Sequence, residues 1–75
     1  MIKVTVGNNV NRKSVIVDEN TTLRAVLEEN QVDYTRGAMY LDGSTIQPGG
    51  LDKTFKDYGI TEMCYLLNVA KVDNA

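Results

Sequence analysis

Apolar and polar positions alternate near both ends of the chain, and between them one stretch changes to a helical period. Leu23, Val26 and Leu27 recur at i, i+3 and i+4, which predicts a helix from Thr22 to Asn30. Arg24, Glu28 and Glu29 fall away from that stripe and are expected to meet water. Thr22 is the expected N-cap, with Thr21 as an alternative one residue earlier. Asn30 suits the C-terminal end because it tolerates a left-handed backbone. A helix of roughly nine residues is not stable alone in water. Its stripe must be buried against the strands.

Ile2, Val4 and Val6 alternate with Lys3 and Thr5, giving a strand over Ile2–Val6. Gly7-Asn8-Asn9 is turn chemistry, and Val10 to Lys13 completes a long hairpin connection. Ser14–Asp18 is the second strand, with Val15 and Val17 on one face and Ile16 on the other. Beyond the helix, Val32 closes its end against the core, and Asp33 to Gly37 is a polar connection with Tyr34 as a lid. Ala38 to Leu41 is a third strand, and Asp42-Gly43 turns it back into a short fourth one at Thr45 and Ile46. Pro48-Gly49-Gly50 is a turn or loop.

Thr54 and Asp57 have the spacing of a short capped turn that Gly59 can end, with Phe55 and Ile60 as anchors into the core. The last strand runs from about Cys64 to Val72. Two registers compete there. Turning Leu66 inward also buries Asn68, and a buried unpaired amide costs about 1–3 kcal/mol. The expected register therefore turns Tyr65, Leu67 and Val69 inward, leaving Cys64, Leu66 and Asn68 on the outer face. One domain over 1–72 and a short polar tail over 73–75 are expected.

Seventy-five residues allow one modest core. A chain this small buries about 60% of its unfolded surface. A single cysteine excludes an intrachain disulfide, and the absence of histidine removes the commonest metal ligand and general base. No metal site, cofactor or catalytic residue is expected. The net charge of −2 and the scattered basic residues do not suggest nucleic-acid binding, nor attraction to a membrane surface. No run approaches the roughly 18 apolar residues of a membrane span. The N-terminus enters a strand pattern at once, so no signal peptide is expected and the cytoplasm is the expected compartment.

The order strand, strand, helix, strand, short strand, capped turn, strand resembles the α+β, β-grasp fold of ubiquitin and its relatives. In that fold a mixed sheet of four to five strands wraps one helix. Thr54-Phe55-Lys56-Asp57-Tyr58-Gly59-Ile60 is similar to the Thr-Leu-x-Asp-Tyr-x-Ile stretch of ubiquitin-like domains. Leu41-Asp42-Gly43-Ser44-Thr45-Ile46 resembles the hairpin after their third strand, and Thr22-Leu23 their Thr-Ile helix start. The N-terminal pattern, with the Leu-Asp-Gly hairpin, is also similar to thiamine-biosynthesis sulfur carriers. The resemblance implies that the strands lie in the order second, first, fifth, third, fourth, with the first and fifth parallel. It also implies that the Tyr58 hydroxyl ties back to backbone between Gly50 and Asp52.

Carriers and conjugated modifiers of this kind end in Gly-Gly, whereas this chain ends Ala70-Lys71-Val72-Asp73-Asn74-Ala75. Its Gly-Gly pair, Gly49-Gly50, is internal. Conjugation and sulfur transfer are therefore not carried over. A carrier activated at its C-terminus by an adenylating enzyme stays the alternative. An iron–sulfur ferredoxin of related fold needs four cysteine ligands, and Cys64 stands alone.

Cys64 reads as packing, Asp57 and Tyr58 as a cap and a buried hydrogen bond, and Gly49-Gly50 as a loop. The better lead is the outer face of the sheet. Tyr40 matches, by resemblance, the residue at the centre of ubiquitin's apolar recognition patch. Tyr40, Leu66, Ile16 and Lys3 are the expected protein-binding residues of a non-enzymatic interaction module. The edge of the second strand offers a second route, since an unpaired edge can accept another strand.

Overall fold

The computed structural model describes residues 1–8 and 10–69. The expected end of the last strand at Val72 and the 73–75 tail lie outside these residues. Five strands and one helix follow in order: β1 (Ile2–Asn8), β2 (Arg12–Val17), α1 (Leu23–Glu29), β3 (Ala38–Leu41), β4 (Ser44–Ile46) and β5 (Met63–Val69). Two 3-10 turns, Pro48–Asp52 and Lys56–Tyr58, lie between β4 and β5. One sheet holds all five strands in the order β2-β1-β5-β3-β4, with β1 and β5 parallel at its centre. Among the described residues no helix is long and apolar enough to cross a membrane.

The helix forms where its apolar period requires it. Thr22 Oγ1 accepts the Ala25 N–H at 3.1 Å, satisfying one free donor of the first turn. Leu23, Val26 and Leu27 are fully buried, in one cluster with Ile2, Val4 and Val6 of β1. The C-terminal end differs from expectation. Asn30 is not left-handed; Gln31 is, at φ 58°. The Gln31 N–H then reaches Glu28 O at 3.2 Å and the Val32 N–H reaches Leu27 O at 2.9 Å. That paired closure puts the left-handed residue one position beyond the cap. The Asn30 side chain instead donates to Val26 O at 2.8 Å.

The first hairpin is tighter than expected. Asn8 Oδ1 accepts the N–H groups of Val10 and Asn11 at 2.8 and 2.6 Å, so one side chain builds the turn that the backbone otherwise needs more residues to make. β1 therefore runs on to Asn8 and β2 starts at Arg12. Gly7 is required here, because a β-carbon on it would collide with the Asn11 carbonyl. Asp42 and Gly43, at φ 51° and 87°, make the expected turn between β3 and β4.

The capped turn is reciprocal. The Thr54 N–H donates to Asp57 Oδ2 at 3.0 Å, and the Asp57 N–H donates to Thr54 Oγ1 at 3.1 Å. Gly59 ends the turn at φ 75°, and Phe55 is buried. The Tyr58 hydroxyl donates to Gly50 O at 3.0 Å, the tie that the resemblance implies. The bond from the Thr54 N–H, followed by the Thr54 hydroxyl, holds the Asp57 carboxyl below its ordinary value of 3.8. A depressed carboxyl contributes stability above its unfolded pKa and loses it as the pH falls through the folded one. The expected result is that Asp57→Asn lowers the thermal midpoint at neutral pH, and that the gap to wild type closes below pH 3.8. A gap that stays constant down to acid pH would contradict the capping role.

β5 takes the register opposite to the expected one. Cys64, Leu66 and Asn68 face inward beside Val4, Val6 and Asn8 of β1, and Tyr65, Leu67 and Val69 face outward. The penalty held against this register does not arise, because the amide of Asn68 is paired. Its Nδ2 donates to Arg36 O at 2.7 Å and lies 3.2 Å from Met39 Sδ. With that amide paired, the register that buries Cys64 and Leu66 and leaves Tyr65 half exposed carries no polar penalty.

Candidate functional site

The outer face of the sheet, away from the helix, is set by that register. β1 turns Lys3, Thr5 and Gly7 outward, and their partners on β2 are Ile16, Ser14 and Arg12. On the other side of β1, Lys3 lies beside Met63, Thr5 beside Tyr65, and Gly7 beside Leu67. Leu67 in turn pairs with Tyr40, which pairs with Thr45 on the far edge. Val69 pairs with Ala38. The centre of this face is thus a column of four apolar side chains on one strand, flanked by Tyr40 on one side and by Lys3 and Ile16 on the other.

Three of the four residues expected here are on this face. Ile16 is 60% exposed, Lys3 is exposed beside it, and Tyr40 is half-buried near the middle. Leu66 is not there: it is 0% exposed and belongs to the core, because β5 lies in the opposite register. Cys64 and Asn68 leave the outer face for the same reason. Met63, Tyr65, Leu67 and Val69 take their place, with Met63 at 56% and Tyr65 at 46% exposure. β5 is apolar on both faces, as a central parallel strand tends to be, so alternation alone points only weakly to one register. One signal was available. Cysteine is among the most buried residue types, and Cys64 and Leu66 share the two-residue spacing of Val4 and Val6.

The outward strand positions carry two cations, Lys3 and Arg12, and no carboxylate. Most acidic residues lie on the helix, its connections and the 3-10 turns: Asp18, Glu19, Glu28, Glu29, Asp33, Asp52 and Asp57. Asp42 stands at the rim, its Oδ1 accepting the Tyr65 N–H at 2.8 Å. An apolar centre with a polar rim is the anatomy of a protein-binding surface.

The remaining chemistry-bearing residues are occupied structurally. Burial, and secondarily the charge of Asp42, pushes the Cys64 thiol up to about 11. It is therefore a thiol rather than a nucleophilic thiolate at neutral pH. An aromatic disulfide reagent is expected to leave it unmodified in the folded protein and to modify it fully in denaturant. Fast modification of the native protein would contradict its placement. The Gly50 N–H is spent on Gln47 O at 2.8 Å, which removes it from any anion cradle. Among the described residues no three His, Cys, Asp or Glu side chains gather as a metal site.

No family model and no curated protein matches the chain. Solved structures do. The solution NMR structure of the ubiquitin-like domain of an Arabidopsis thaliana protein aligns at a TM-score of 0.72 and 23% identity, covering 99% of this chain and 81% of that one. A second structure of the same Arabidopsis protein combines evolutionary couplings with sparse NMR data. It aligns at 0.69 and 23% identity, covering 97% of this chain and 89% of that one. The fold is ubiquitin-like, an α+β β-grasp.

Proposed function

We propose that this ubiquitin-like module works by binding another protein, without covalent attachment, through the outer face of its sheet. The observation that supports this is the contiguous column of Met63, Tyr65, Leu67 and Val69, bordered by Tyr40, Ile16 and Lys3. Contiguous exposed apolar surface marks interaction sites, whereas single scattered residues do not. Tyrosine suits such a centre, offering a large apolar area with a polar tip. Leu66 contributes from beneath, by fixing the strand whose neighbours make the contacts. The hydroxyls that do meet carboxylates, Tyr34 on Glu28 and Thr35 on Asp33, sit on the exposed connection after the helix and away from this face.

The test is affinity capture from a lysate with the wild-type chain, Tyr65→Ala and the helix-side variant Glu29→Ala. A partner recovered by wild type and Glu29→Ala but lost with Tyr65→Ala supports the reading. Partners retained equally by all three would overturn it. Intact mass spectrometry after incubation with lysate and ATP separates the carrier alternative: an adduct on the C-terminal residue would displace the non-covalent reading.

A further inference from the structure

The two edges of the sheet differ. β4 has three residues and Pro48 follows it closely. β2 has six residues, without proline or glycine. The Lys3 N–H donates to Glu62 O at 2.9 Å, toward β5, so the backbone groups of Ile2, Val4 and Val6 face β2. The Asn8 N–H, on Asn11 O at 2.9 Å, keeps the same alternation. Their partners Val17, Val15 and Lys13 turn their own N–H and C=O groups toward β1. Those of Arg12, Ser14 and Ile16 point away from the sheet, and among the described residues no backbone group pairs with them.

The side chains along this edge are incompletely covered. Ile2 and Val4 are fully buried, whereas their β2 partners Val17 and Val15 are half-buried, and Ile16 is exposed. The charges are ordered as well. Arg12 begins the row that Ser14 and Ile16 continue, and Asp18 follows at the same two-residue spacing. Among the described residues neither Arg12 nor Asp18 has an ion-pair partner. Asp18 Oδ1 accepts the Asn20 N–H at 2.7 Å, which leaves Oδ2. A strand with a base at its start, an acid just past its end and apolar residues before that acid is complementary to an antiparallel copy of itself.

We infer that β2 is a self-association edge, where a second copy of this chain adds its own β2 antiparallel across a two-fold axis. Backbone parity limits the registers, because only residues with outward groups can face one another. With Val15 on the axis, Ser14 faces Ile16, Lys13 faces Val17, and Arg12 faces Asp18 twice. With Ser14 on the axis Arg12 faces Ile16, and with Ile16 there Arg12 faces Asn20. Both of these leave Arg12 without an acid opposite, so the pairing centred on Val15 is the complementary one. It joins two five-stranded sheets into one and covers Val15 with its own copy. Such a two-fold contact is closed, so association ends at a dimer. The inference does not depend on the column of apolar side chains on the outer face.

Sedimentation velocity of the full chain, at concentrations rising into the millimolar range, is the test. A monomer–dimer equilibrium is expected. Ser14→Pro should abolish the dimer and keep the folded monomer, because proline is tolerated on an edge strand where its missing N–H faces solvent. Arg12→Asp and Asp18→Arg each set like charges opposite one another, and each should weaken the dimer about tenfold. An equimolar mixture of these two variants restores both opposite-charge pairs and should associate as wild type does. A wild-type chain that stays monomeric throughout would overturn the inference. So would a dimer that survives Ser14→Pro, or a mixture that associates no better than its components. Circular dichroism checks the fold of each variant. The proline variant and the mixture are independent, so either decides if a variant of the other does not fold.

Discussion

Phe55→Ala is expected to cost about 3–5 kcal/mol, the range for truncating a buried phenylalanine. A 75-residue domain holds only roughly 4–11 kcal/mol in total, at typical stability per residue. The variant should therefore be partly or wholly unfolded at physiological temperature. The reason is positional as much as chemical. Phe55 is fully buried, and its backbone carbonyl accepts the N–H groups of Tyr58 and Ile60 at 3.1 and 3.0 Å. Its own N–H donates to Thr21 O at 3.3 Å, next to the helix cap, and the Leu23 N–H reaches Lys53 O at 3.1 Å. Backbone bonds thus tie the capped turn to the start of the helix, and the ring fills the core beside that junction. Urea titration followed by circular dichroism measures the loss. A midpoint within about 1 kcal/mol of wild type would place the ring outside the core, since only surface substitutions are that mild.

Tyr65→Ala is expected to cost binding rather than folding. A tyrosine at the centre of an interface is a common hot spot, worth about 2 kcal/mol or more on truncation. That corresponds to roughly thirtyfold in affinity. Tyr40→Ala should add a comparable loss, with some cost to stability because Tyr40 is half-buried. Leu66→Ala makes the contrast. It removes a fully buried side chain, so it should cost about 2–5 kcal/mol of stability. Calorimetric titration of a captured partner against each variant, with thermal melts alongside, separates the two effects. Full affinity in the folded Tyr65→Ala protein would remove the outer face from the function.

Much of the architecture was legible because local and long-range signals agreed. The Leu23, Val26 and Leu27 stripe, the Thr22 cap, the Thr54–Asp57 box and the Asp42-Gly43 turn each specify their geometry within a few residues. β5 was harder for a physical reason. Buried on one face and apolar on the other, it reads alike in both registers. The decision then fell to Asn68, whose partner, the Arg36 carbonyl, lies 32 residues away in sequence. Such a pairing exists only once the sheet is assembled. The end of the helix differs on a finer point: Gln31 takes the left-handed position, and the Asn30 side chain bonds Val26 O instead. The candidate surface was half legible. Tyr40, Ile16 and Lys3 follow from simple alternation, while Met63, Tyr65, Leu67 and Val69 depend on the register.

That register carries both the core and the proposed surface, and a soluble paramagnetic probe reads it without any partner. Side-chain signals of Met63 and Tyr65 should broaden strongly, while those of Leu66, Leu27 and Phe55 stay sharp. A Leu66 signal that broadens while Tyr65 is protected would reverse the strand and contradict both.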